Sequence, residues 1–152
     1  MPLLPEKNTL EAPPPSQWPL EGRITGLFGK RLSPRSGRPE NHKGLDIAAP
    51  AGTPILAAGD GLATFVGFQK GYGRALIIDH GNGFSTLYAH ASKIFIKSGE
   101  VAKRGQVIAA VGRSGAATGP HLHYEIREDG VAGDPLKVLG LGLLAQVPKA
   151  SL

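Results

Sequence analysis

Five residues of this chain have the right types and spacing to do chemistry together: His42, Asp46, His90, His121 and His123. The densest segment is Gly119-Pro120-His121-Leu122-His123-Tyr124-Glu125-Ile126. On an extended strand alternate side chains share a face, so His121 and His123 point the same way from neighbouring positions. His42-Lys43-Gly44-Leu45-Asp46 adds an imidazole and a carboxylate four residues apart. Neutral imidazole and carboxylate are compact donors that suit a divalent transition metal, zinc first. The chain has 5 histidines, and all but His80 belong to this set.

The elements that must position them are predicted to be strands. The 152 residues suit one domain with a sizeable core. The 22 glycines and 13 prolines imply tight turns and short strands, and they argue against a helical bundle. Strand-like runs are Gly22 to Phe28, Ile55 to Ala58, Leu62 to Phe68, Arg74 to Asp79, Phe84 to His90, Lys93 to Lys97, Val107 to Val111 and His121 to Arg127. Asn82-Gly83 between two such runs signals a hairpin, since both residues tolerate positive φ. Turns recur about every eight to twelve residues, the spacing of an all-β sandwich or barrel. The expectation from this spacing is an all-β fold of the sandwich or barrel kind, with few or no helices. A short helix is expected around Leu136 to Leu139. Lys30 to Lys43, polar, basic and rich in turn residues, reads as a long exposed loop. Residues 1–17, with Pro13-Pro14-Pro15, read as an extended or disordered lead-in. Trp18 anchors the start of a domain over 18–138, and 139–152 form a tail.

Composition removes several function classes. With no cysteine, disulfides and thiolate metal sites are excluded. The net charge of +5 favours polyanions. No arginine-rich helix or aromatic platform supports nucleic acid binding; an anionic wall polymer, or simple solubility, accounts for the charge as well. The apolar stretch Val138 to Val147 is about half of the roughly 20 residues a membrane span needs. Met1-Pro2-Leu3-Leu4-Pro5-Glu6-Lys7 lacks the pattern of a signal peptide, so a targeting segment is expected to be missing or another delivery route used.

The motifs, in order, are Trp18-Pro19-Leu20 with Gly26-x-Phe28-Gly29; His42-x-Gly44-x-Asp46-Ile47-Ala48; Gly52-Thr53-Pro54-Ile55-x-Ala57; Gly71-Tyr72-Gly73; His80-Gly81-Asn82-Gly83-Phe84-x-Thr86-x-Tyr88-Ala89-His90; Gly105-Gln106-x-Ile108; and Thr118-Gly119-Pro120-His121-Leu122-His123-Tyr124-Glu125. Together they resemble the M23 family of zinc metallopeptidases, the lysostaphin-like or LytM-type domain, over residues 18–138. Ala91 and Ala116-Ala117 depart from the family's usual residues at positions away from the chemistry. The resemblance implies a small antiparallel β-sheet, barrel-sandwich-like core with a substrate groove, and a zinc-dependent endopeptidase cleaving cross-links or stem peptides of bacterial peptidoglycan, exported to the periplasm or cell wall. It implies one Zn2+ per chain held by His42, Asp46 and His123, with His90 and His121 catalytic beside it. Three protein ligands leave a fourth position for water, the arrangement of a hydrolytic site. His121 is assigned as general base, and His90 as the group that steadies the oxyanion or protonates the leaving amine.

Alternatives stand beside these readings. Some relatives of the family are non-catalytic regulators of other wall hydrolases; the intact ligand set here argues for activity. A lipoyl or biotinyl carrier needs a lysine at a hairpin tip, and Asn82-Gly83 has none. His42 and Asp46 alone suit a hydrogen-bonded loop pair, and His90 alone suits a satisfied buried histidine. His80, in the hairpin, reads as structural. Tyr72 is a substrate contact or a cap on the groove. Glu125 is either a partner that orients an imidazole or half of a cross-strand salt bridge.

Overall fold

In a computed structural model, residues 13–139 are described. Strands carry almost all the regular structure: β1 (Arg23–Gly26), β2 (Gly29–Leu32), β3 (Pro39–His42), β4 (Leu45–Ala48), β5 (Pro54–Leu56), β6 (Gly61–Gln69), β7 (Gly73–Gly81), β8 (Phe84–Ile94), β9 (Val101–Ala102), β10 (Val107–Val111), β11 (His121–Glu128) and β12 (Val131–Gly133). One short helix, α1 (Pro135–Leu139), follows where it is expected. No helix among the described residues is long and apolar enough to cross a membrane.

The main sheet runs β1-β4-β11-β8-β7-β6-β9, with β10 joining β8 to β5 and β12 extending β11. Every pairing is antiparallel. The β7–β8 hairpin turns at Asn82-Gly83, with φ of 54° and 84°, the left-handed pair that matches strand twist. Alternation along the central strands divides the sheet into two faces. Leu45, Ile47, Leu76, Tyr88, Leu122 and Tyr124 are fully buried on one side, where Trp18, Leu20, Ile55 and Ile108 join the core. The opposite side carries Asp46, His123 and Glu125 over Ala75, Leu87 and Ala89. The core thus consumes one face of β4 and β11, and the other is left for chemistry.

Three expectations need correction. Lys30 to Lys43 is not a loop: β2 and β3 pair within it, from Gly29↔His42 to Leu32↔Pro39. Local hydrogen bonding replaces an apolar pattern there. Ser33 N–H donates to the Arg38 carbonyl at 2.8 Å, Ser33 Oγ accepts from Arg35 and Ser36 N–H, and Arg31 pairs with Glu40 across the hairpin. Lys93 does not start a separate strand. β8 passes through His90 and continues to Ile94 because β10 pairs with its far end. Ala57 and Ala58 lie beyond β5 and are buried in the core instead. Residues 1–12 of the expected lead-in and 140–152 of the tail lie outside the described residues.

Candidate metal centre

Four stretches of chain converge on the open face of the sheet. Asp46 on β4 and His123 on β11 are direct register partners. His121 sits two residues before His123 on the same face. His42 ends β3, and the hairpin folds it back over Asp46. Gly44 makes that approach possible: any side chain there would run into the Tyr124 carbonyl and the His123 ring.

His90 arrives by a different device. Between the pairs Arg74↔Ala91 and Leu76↔Tyr88, β8 has two residues, Ala89 and His90, opposite the single Ala75. This is a β-bulge. Ala89 is paired with His123 and shares its face, so strict alternation would aim His90 the other way. Instead His90 takes a left-handed φ of 65°, and its ring packs 4.8 Å from His121 and 6.1 Å from His123, centroid to centroid. Its N–H donates to the Tyr72 carbonyl at 2.8 Å.

The ring nitrogens separate into an inner and an outer set. His42 Nδ1 donates to the Leu27 carbonyl at 2.8 Å, and its Nε2 lies 3.1 Å from Asp46 Oδ2. His123 Nε2 donates to Glu125 Oε2 at 2.8 Å, and its Nδ1 lies 3.0 Å from Asp46 Oδ1. Ligand atoms of His42, Asp46 and His123 all lie within 4.8 Å of one another, and the three residues are buried. His121 Nδ1 donates to the Gly119 carbonyl at 2.9 Å, leaving Nε2 3.7 Å from Asp46 Oδ1. His90 Nδ1 donates to the Ser114 carbonyl at 2.7 Å. Each outer N–H has an acceptor, so each inner nitrogen of a neutral ring presents a lone pair to the common space. That is how metal-binding imidazoles are held. Two inner nitrogens and one carboxylate are a donor set that zinc accepts.

Glu125 resolves into both of its expected roles, with one change. It orients His123, and it is also ion-paired, but to Arg127 on its own strand at 2.9 Å rather than across the sheet. Tyr72 donates to the same carboxylate at 2.6 Å. His80 turns away from the centre, donating to the Asp60 carbonyl and meeting Thr86 Oγ1 at 2.7 Å. Arg31 is a neighbour that sequence reasoning passed over except as part of a basic stretch. Its Nε bonds Glu40 at 2.6 Å, and its Nη1 lies 3.3 Å from Asp46 Oδ2.

Electrostatics follow this geometry. Burial alone would raise the Asp46 carboxyl, but hydrogen bonds and charge from His123 and His42 hold it far below the usual carboxylate range. Burial would lower His123, yet Asp46 and Glu125 on its two nitrogens push it up to about 9. His90 has no such carboxylate partner. Burial and the neighbouring histidines bring it down to about 4, against the pull of its bond to Ser114. Burial and the Glu125 contact raise the Tyr72 phenol to about 12.

The surrounding groove has a volume of about 560 Å³ and includes Thr118, Gly119, Tyr72 and the cationic side chains of Arg31, Arg35, Lys43 and Lys70.

The chain is similar to proteins of known sequence and structure. The sequence model of Peptidase family M23 matches residues 40–135. The DD-carboxypeptidase/endopeptidase Mpg of Neisseria meningitidis serogroup B is 46% identical over 130 residues, 85% of this chain and 30% of that protein. A zinc containing peptidase from Vibrio cholerae superposes with a TM-score of 0.73 at 38% identity, over 78% of this chain and 38% of that one. The catalytic domain of lysostaphin from Staphylococcus simulans superposes with a TM-score of 0.66 at 29% identity, over 76% of this chain and 89% of that domain. The chain thus spans less than a third of the length of the Neisseria protein.

Proposed function

The chain belongs to peptidase family M23, and from that premise we propose that it is a zinc-dependent endopeptidase that hydrolyses peptide bonds in bacterial peptidoglycan, with cross-links or stem peptides as substrate. One observation carries the proposal: His42 Nε2, His123 Nδ1 and the Asp46 carboxylate face one point while their outer nitrogens are fixed by Leu27 and Glu125.

In this reading His42, Asp46 and His123 hold the metal. Zinc bound there supplies a Lewis acid that acidifies water and polarises a carbonyl. The rest is the work of this chain's own groups. His121 is fixed through Nδ1 with Nε2 toward the ligand cluster, and it accepts the proton of the attacking water. His90, neutral down to about pH 4, is a second acceptor beside it. It becomes a donor to the oxyanion or the leaving amine only after taking up a proton within the same turnover. Tyr72 closes the groove over His123, its ring 5.5 Å away.

The complete ligand set argues against the non-catalytic alternative. Action on peptidoglycan places the protein in the bacterial envelope; we assign it to the periplasm or cell wall. The test pairs metal analysis with digestion of defined muropeptides and mass spectrometry of the products. Zinc at about one per chain with new amino groups released supports the proposal. A zinc-loaded protein that opens no peptide bond in varied peptidoglycans overturns it in favour of a regulatory module.

A further inference from the structure

We infer that Ser114 is a positioning residue for His90: its hydroxyl staples the bulge that turns the ring, and its carbonyl fixes which ring nitrogen carries the proton; this rests on the reading of His90 as a reacting group and deepens it. The bulge on β8 lies between the register pairs Arg74↔Ala91 and Leu76↔Tyr88. In a hydrogen-bonded antiparallel pair the N–H of one residue donates straight to the carbonyl opposite. At Arg74 and Ala91 the Ser114 hydroxyl stands between the two. Arg74 N–H donates to Ser114 Oγ at 3.0 Å, and that hydroxyl donates to the Ala91 carbonyl at 2.7 Å. One side chain from the β10–β11 loop thus carries the ladder bond across the place where the bulge opens it.

The same residue holds the ring. His90 Nδ1 donates to the Ser114 carbonyl at 2.7 Å, while the His90 backbone N–H is spent on the Tyr72 carbonyl. The hydrogen bond made by one imidazole nitrogen decides which nitrogen is protonated. An acceptor at Nδ1 therefore leaves Nε2 with its lone pair, ready to take a proton. With that acceptor displaced, a neutral ring is free to hold its hydrogen at Nε2, where it can accept nothing.

Other contacts seat the loop without pinning β8. A Cβ on Gly73 would run into the Ser114 carbonyl, and one on Gly115 into the backbone of Gly73. Ala116 N–H donates to the Gly71 carbonyl at 3.1 Å. These hold the loop against the Gly71-Tyr72-Gly73 turn. Of the bonds described, the Ser114 hydroxyl is the one that joins the loop to β7 and β8 together. The bonds that fix His42 and His123 run to Leu27 and Glu125 instead, so zinc binding is expected to be independent of Ser114.

The test reads the ring before the rate. Nitrogen NMR of isotopically labelled histidine, with His90 assigned by its loss in His90→Ala, reports the tautomer in the metal-free protein at neutral pH, where His90 is uncharged. Wild type should carry the proton on Nδ1, and Ser114→Ala should show a mixture of tautomers. In the zinc-loaded proteins Ser114→Ala should lose about 10- to 100-fold in kcat, with KM and zinc content unchanged. Ser114→Thr keeps the hydroxyl and should keep the tautomer and most of the rate. In a His90→Ala background, Ser114→Ala should cost no further rate. A Ser114→Ala protein that is less stable yet keeps the Nδ1 tautomer and the wild-type kcat overturns the proposal. So does a wild-type His90 protonated at Nε2, or an equal rate loss in both backgrounds. If the alanine variant does not fold, Ser114→Cys, which keeps the size and weakens the donor, answers the same questions. If no form cleaves peptidoglycan peptides, the peptidase reading fails on its own, and the tautomer comparison still decides Ser114.

Discussion

His123 and Asp46 are paired twice, by backbone register across β11 and β4 and by a 3.0 Å contact between Nδ1 and Oδ1. The sheet itself therefore holds two of the three proposed ligands, and the β2–β3 hairpin contributes the third. Replacing His42, Asp46 or His123 with alanine should remove bound zinc and hydrolysis together. Replacing His121 or His90 should keep the metal and cost about 10²–10⁴ in rate, the value of a positioned acid or base. Zinc per chain and kcat/KM, measured on the same preparations, check this. Retention of full zinc by Asp46→Ala would refute the ligand assignment.

The His123–Asp46 contact also gives metal binding a pH dependence. In the metal-free chain His123 is raised to about 9, so Nδ1 carries a proton at neutral pH. Binding at that nitrogen must expel the proton. Zinc affinity should rise about tenfold per pH unit between the ordinary histidine value and about 9, then level off. The sign for stability is the opposite. The protonated His123 stabilises the metal-free fold fully below about 6.5, and this contribution is lost as pH rises through about 9. Chelator competition across pH and melting of the metal-free protein test both. An affinity flat from pH 6.5 to 9 would contradict the argument.

His80 is a test of the opposite kind. Its Nδ1 donates to the Asp60 carbonyl, and the ring then accepts at Nε2 from Thr86 Oγ1. With the Thr86 hydrogen given to His80, Tyr88 O–H donates to Thr86 Oγ1 across 2.7 Å, and the Tyr88 oxygen accepts from Ala58 N–H at 3.0 Å. Burial lowers the His80 pKa, which keeps it neutral as this chain of bonds requires. His80→Ala leaves Thr86 short of a partner inside the core and should cost about 1–3 kcal/mol of stability. Zinc content and catalytic rate at 25 °C should be unchanged. A His80→Ala protein of normal stability but no activity would move His80 into the mechanism.

These cases show what sequence could and could not carry. His121 and His123 share a face because strand alternation is local, and the motif around them is visibly a strand. The Asn82-Gly83 turn was legible for the same reason. Lys30 to Lys43 misleads because its hairpin rests on the Arg31–Glu40 pair and the Ser33 turn, not on apolar periodicity. The order β4-β11-β8 depends on pairing between distant segments, which no local pattern encodes. Glu125 was visible as a partner for an imidazole. That its ion pair runs along the strand to Arg127 depends on side-chain conformation alone.

The bulge at His90 supplies the last prediction. A left-handed φ of 65° is unfavourable for any residue with a Cβ and costs little for glycine. The strain is retained because it turns the imidazole from the core side of β8 to the side of His121. His90→Ala and His90→Gly both lose the ring and its bond to Ser114, so comparing them isolates the backbone. The glycine variant should be more stable than the alanine variant by about 1–2 kcal/mol. Both should be equally poor catalysts, and both should bind zinc normally. Denaturant unfolding of the two metal-free variants measures the difference. Alanine equal to or better than glycine would mean that the bulge carries no strain, and that the turn of the ring into the groove needs another cause.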